Sequence, residues 1–172
     1  IHRYICKMKN LESKDDKKVS AALDMADKNG TIQWVEPLLE AFSTREDDEL
    51  KERMRTMLSS IKLSAAEDIF LEFLQKDGKE PVYADVLSFI WSSGFTPTNE
   101  IDLIVRCSTT GDFRAAMEGL TIVEQCDMIE NEQSLLDAIF SLRSALNSQE
   151  KAACHNLYEP MLNKLEHIER NQ

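Results

Sequence analysis

The residues able to do chemistry are few and scattered. The three histidines are His2, His155 and His167, and the four cysteines are Cys6, Cys107, Cys126 and Cys154. A zinc site needs His and Cys ligands at short, fixed spacings, and the chain has neither a CxxC pair nor an HExxH string. His155 and Glu159 share a helix face at i, i+4 with Cys154 alongside, but no third ligand follows, and a histidine making a surface hydrogen bond accounts for the pattern. No GxGxxG, GxxxxGKS/T or GxSxG string occurs, so phosphate cradles and hydrolase elbows lack a starting point. The run Asp47-Asp48-Glu49 is explained by acids opening a helix at its positive end. No catalytic residue, metal ligand or cofactor is assigned on these residues, and the chain reads as non-enzymatic.

One segment could hold a cation. Counted from Met25 as position 1, Asp27 falls at 3, Asn29 at 5, Gly30 at 6, Ile32 at 8 and Glu36 at 12, which resembles an EF-hand calcium loop. Such a loop needs oxygen ligands at alternate positions and a bidentate Glu closing the far side. Position 1 should be Asp and is Met25, while Asp24 is one residue out of register. The same residues are explained by Gly30 ending one helix, Thr31 starting the next and Glu36 lying on its surface. A divalent-metal-binding protein using residues 25–36 is therefore the first alternative reading.

Charge narrows the partners. The 172 residues carry 20 Lys and Arg against 31 Asp and Glu, a net of −11. Residues 1–18 hold six bases and three acids; residues 63–142 hold four bases and fifteen acids. An acidic body repels phosphate at long range, which argues against nucleic acid. A nucleic-acid-associated protein would have to use Lys51, Arg53, Arg55 and Lys62, yet Arg53 and Arg55, two apart, cannot share a helix face. The basic start, residues 1–13, reads as a solvated leader and 14–172 as one domain. The opening is no signal peptide as it stands, and it begins with Ile1 rather than Met. No apolar run approaches the roughly 18 residues that span a bilayer. The scattered cysteines read as thiols in a reducing compartment, the cytoplasm.

The elements that would position these residues are helices. Apolar residues recur at i, i+3, i+4, i+7 and nowhere alternate with period two, which predicts an all-α chain of about nine helices. Gly30, Gly78, Gly94 and Gly111 fall between segments, where left-handed caps suit glycine. Ser64, Thr98 and Asn131 are candidate N-caps. Pro37 and Pro160 each kink a helix or mark a first turn.

Two anchor series run through this pattern. Val19 with Leu23, Leu50 with Met54, Val82 with Val86, Phe113 with Met117 and Ala153 with Leu157 are spaced by 31, 32, 31 and 40 residues. Leu38 with Phe42, Ile69 with Phe73, Ile101 with Val105 and Leu135 with Ile139 are spaced by 31, 32 and 34. Interleaved series with one period predict a helical hairpin repeated about four times.

The units resemble HEAT repeats. Trp34 to Ile61, WVEPLLEAFSTREDDELKERMRTMLSSI, is similar to the family's Leu- and Pro-rich helix, acidic turn and second helix. Asp112-Phe113-Arg114 with Ala116 and Leu120 resembles its acid, apolar, Arg, Ala, Leu series, and Lys17, Lys18, Val19 and Ala22 look like a degenerate copy. The period is shorter than the roughly 40 to 47 residues typical of HEAT and armadillo repeats, and the ankyrin and tetratricopeptide signatures are absent. The resemblance covers 14–169 and implies a right-handed α-solenoid of antiparallel helix hairpins, a scaffold that binds proteins and carries no chemistry of its own. Tyr83, Leu87 and Trp91, at i, i+4 and i+8 on one helix beside Val82, Val86 and Phe89, are the candidate partner-binding residues. They either face a protein or peptide partner, a basic one given the acidic middle of the chain, or pack against adjacent repeats.

Overall fold

The structure, a computed structural model, describes residues 8–46 and 48–172; His2, Cys6, Asp47 and most of the basic leader lie outside them. Among the described residues there are nine α-helices and no strand. No helix among them is long and apolar enough to cross a membrane. The chain divides into two compact units, one running to Phe73 and one from Leu74.

In the first unit a 3-10 turn, Lys9–Glu12, buries Leu11 against the first two helices. Helix α1 (Asp16–Asn29) starts where the Asp15 carboxylate accepts from the Lys17 amide, and it buries Val19, Ala22, Leu23 and Ala26, one apolar stripe. A second 3-10 turn, Ile32–Trp34, leads into α2 (Val35–Thr44). Pro37 thus lies in a first turn, where its missing N–H costs nothing. Helix α3 (Glu49–Ser59) is capped by Asp48, which accepts from the Lys51 amide at 2.8 Å, and it packs on both α1 and α2. Helix α4 (Ala66–Gln75) buries Phe70 and Phe73, and the division between the units falls within it.

The second unit holds α5 (Tyr83–Ser92), α6 (Ile101–Thr110), α7 (Phe113–Gln125), α8 (Glu132–Leu146) and α9 (His155–Asn171). Each packs on the next except α7 and α8; in addition α5 packs on α7, α7 on α9, and α6 on α8. Helices α6 and α7 come close at Gly119, where an added Cβ would lie 1.8 Å from the Ser108 hydroxyl oxygen. There the buried Tyr158 hydroxyl of α9 donates to the Ser108 carbonyl at 3.4 Å, so three helices converge on one point.

The punctuation needs correcting in part. Only Gly78 and Gly94 take positive φ; Gly30 and Gly111 do not, and are held instead by backbone closeness, since a Cβ would come within 2.7 and 2.8 Å of the Ala26 and Cys107 carbonyl oxygens. Asn131 does cap α8, accepting from the Ser134 amide, but α6 starts after Glu100 with no side-chain cap, so Thr98 has no such role. Pro160 sits inside α9.

The two anchor series also fare differently. Leu38, Phe42, Phe73, Ile101, Val105, Leu135 and Ile139 of the second series are buried. The first series fails at its end: Phe113 and Met117 are 49% and 45% exposed, Ala153 is exposed and Leu157 half-buried. Helix α7 instead turns Ala115, Ala116, Gly119, Ile122 and Val123 inward, because small side chains let its backbone approach its neighbours.

Candidate functional site

Helix α5 lies in an almost wholly apolar stretch, YADVLSFIWS, and is buried nearly all round. Of the three residues singled out on it, Leu87 is fully buried and Tyr83 is 6% exposed, beside Cys107 of α6. Burial holds the Tyr83 hydroxyl above its ordinary pKa. Both side chains therefore serve the interior of the second unit. Trp91 alone reaches the surface, and only partly.

Trp91 belongs to a polar seam between α5 and α7. Its indole N–H donates to Glu118 Oε2 at 2.7 Å. Arg114 Nη1 pairs with Asp85 Oδ1 at 2.8 Å, and Arg114 Nε lies 3.6 Å from Glu118 Oε1. The carboxylates are only 11% and 12% exposed, the guanidinium 45%. Burying two acids on a helix seam is tolerable because the cation and the indole N–H meet them. These groups lock Trp91 in place, and the arrangement offers no free base or nucleophile. Asp85 and Glu118 were not singled out from sequence, and Arg114 only within the HEAT-like series, although an acid inside an apolar helix and an Arg–Glu pair at i, i+4 were the available signals.

Beside this seam, α7 presents an outward line of Phe113, Met117 and Glu124. Helix α8 has a similar line, Leu136 and Phe140, with Phe140 74% exposed. A groove runs past Phe140 among Arg106, Thr109, Ser144 and Lys151, but Lys151 is engaged, donating to the Gly111 carbonyl at 2.8 Å.

The other candidates resolve into structure. Helix α1 continues through Asn29, so Asp27 and Asn29 project from a regular helix rather than wrapping a point, and Glu36 stands in the first turn of α2. Among the described residues no three His, Cys, Asp or Glu side chains are placed to share a metal ion. A His155 ring nitrogen lies 3.0 Å from the Ser148 carbonyl oxygen, as a surface histidine would. Burial pushes the Cys107 thiol up to about 12 and the Cys126 thiol to about 11, so neither is a thiolate at neutral pH. The cations of α3 are engaged within the first unit: Arg53 pairs with Asp24 at 2.7 Å, Arg55 with Glu52 at 3.1 Å, and Lys51 donates to the Arg45 carbonyl at 2.8 Å.

Comparison of the chain with protein-family models, with curated proteins and with solved structures finds no match.

Proposed function

We propose that the chain is a non-enzymatic protein-interaction scaffold, an α-solenoid of HEAT-like helix hairpins whose second unit receives a basic protein or peptide on the outward face of α7. The observation that carries this reading is the exposure of Phe113 and Met117, 49% and 45%, on a helix that buries Ala115, Ala116, Ile122 and Val123 and leaves Leu120 half-buried. Large apolar side chains left in line on a surface are what an interface core uses. Exposed Asp112 and Glu124 give this helix and its cap an acidic rim, and residues 63–142 carry fifteen acids against four bases. A basic partner complements that field, whereas a nucleic acid does not.

The repeat reading is supported by the succession of contacts, α5 on α7 on α9 with α6 on α8, which is how stacked hairpins bury their stripes. The free thiols Cys107, Cys126 and Cys154 support a reducing compartment, the cytoplasm.

The test uses the intact chain and a Phe113→Ser/Met117→Ser double variant as baits. The reading expects a partner that the parent retains and that the variant loses while melting like the parent. Association should slow between about 0.1 M and about 1 M salt as the Debye length shrinks. A partner captured equally by both baits, or none enriched by the parent, overturns it.

A further inference from the structure

We infer that the second unit holds a docking groove for a peptide segment that carries a carboxylate side chain beside an apolar one. The groove, about 530 Å³, lies between the last turns of α6, the middle and end of α8 and the 3-10 turn Gln149–Cys154. Its donors are Arg106 of α6, Ser141 and Ser144 of α8, and Lys151 of the turn. Phe140, 74% exposed, is part of its wall. The trough is open to solvent, so it does not enclose a small ligand as a pocket does; a segment of chain laid along it suits it better.

Arg106 sets the charge of the ligand. Arg45, Arg53, Arg55, Arg114 and Arg143 all pair with carboxylates, but the exposed Arg106 guanidinium makes no ion pair or hydrogen bond among the described residues. The acid one turn before it, Asp102, accepts from the Ser134 hydroxyl of α8 instead. The hydroxyls are a second, independent observation. Thr109 and Thr110 donate back to the Val105 and Arg106 carbonyls of their own helix, at 3.0 and 2.8 Å, and have no proton to spare. Ser141 and Ser144 make no such bond, so each keeps a free O–H. Lys151 donates to the Gly111 and Thr110 carbonyls, at 2.8 and 3.4 Å, and its ammonium holds a third proton. A carboxylate only accepts, and its bonds to a guanidinium are charge-assisted, so it matches this set of unspent donors. Two bases against one acid, Glu150, make the lining positive in a chain of net −11. A doubly charged phosphate would meet the repulsion of that acidic body twice over, which favours the carboxylate. Phe140 and Ala145 give the neighbouring apolar residue a surface to cover. The groove shares no lining residue with the α7 face, and its partner has the opposite charge.

The probe is acetyl-Leu-Glu-Phe-amide, with acetyl-Leu-Gln-Phe-amide as its uncharged twin, titrated into the intact ¹⁵N-labelled chain. The expected result is a saturable shift of the Ser141 and Ser144 amide signals, with the Glu peptide binding roughly tenfold more tightly than the Gln peptide. A phosphoserine in place of the Glu should bind no more tightly. Arg106→Gln should erase the preference, so that both peptides bind alike, while Phe140→Ser weakens both by the same factor. Both residues are exposed, so each variant should melt like the parent. The Phe113→Ser/Met117→Ser variant should bind the Glu peptide as the parent does, which separates this groove from the α7 face. No saturable shift, equal binding of the Glu and Gln peptides by the parent, tighter binding of the phosphoserine peptide, a preference for Glu that survives Arg106→Gln, or loss of the peptide in the α7 double variant would overturn the assignment.

Discussion

Helices α5 and α7 pack against each other in the second unit, and both segments carry an apolar residue followed by another four later, Val82 with Val86 and Phe113 with Met117. Val82 and Val86 are buried, and α5 hides Tyr83, Leu87, Phe89 and Ile90 as well. Phe113 and Met117 stand half in solvent, while α7 meets its neighbours through Ala115, Ala116 and Gly119. Identical spacing has produced opposite outcomes. A helical period places residues in one line, but whether that line faces inward depends on how closely the neighbours approach, and the smallest side chains permit the closest approach.

That contrast can be broken by substitution, and the largest effect is expected inside α5. Leu87→Ala should lower stability by about 2–5 kcal/mol in chemical denaturation, as truncation of a fully buried leucine does. A variant that unfolds like the parent would mean that Leu87 is available to a partner after all.

Next comes the α6–α7 contact. Gly119→Ala drives a methyl group onto the Ser108 hydroxyl and should cost about 1–3 kcal/mol. In a Ser108→Ala background part of that penalty should disappear, a coupling of at least about 0.5 kcal/mol in a double-mutant cycle. Additive effects would show that α7 does not approach α6 at this point.

The seam between α5 and α7 should respond more weakly. Trp91→Phe keeps most of the apolar body but removes the donor to Glu118, so a loss of about 1 kcal/mol is expected. On the outward line, Met117→Ala should change stability by less than about 0.5 kcal/mol, since the side chain is already in solvent. A large loss there would place Met117 in a core and remove the proposed face.

The smallest effect belongs to the first unit. The Arg45 guanidinium, then the Lys51 amide, hold the Asp48 carboxyl below its ordinary value of 3.8. A carboxyl with a depressed folded pKa adds stability above its unfolded value and loses it as pH falls through the folded one. Thermal melts of the parent and Asp48→Asn should therefore differ near neutral pH and converge in acid. A difference that persists unchanged in acid would show that the ion pair does not carry it.

Much of the fold was legible in the residues. The absence of period-two alternation and the long 3.6-residue stripes place the helices, and the second anchor series lies inside as its spacing implies except at Ile69, which is half-buried. The sequence did not show that Leu87 is interior while Trp91 reaches out to Glu118, 27 residues onward, because that depends on which helix α5 meets. The EF-hand-like spacing at 25–36 was equally legible and equally insufficient: the ligand types are nearly right, but α1 continues through Asn29 and sets them along a rod.

By itself, then, the sequence determined an all-helical chain, an acidic body with few groups capable of chemistry, and the helix start at Asn131, where a side chain meets a free amide as Asp15, Asp48 and Asp112 do in the structure. These are local matters, set within a few residues by hydrogen bonding and side-chain shape. Only the tertiary structure decided the inward turn of Ala116 and Gly119, the outward turn of Phe113 and Met117, and the unmet indole N–H of Trp34. Each of those depends on the distance between backbones far apart in the chain, and the apolar period of a single helix is the same whichever neighbour it finds.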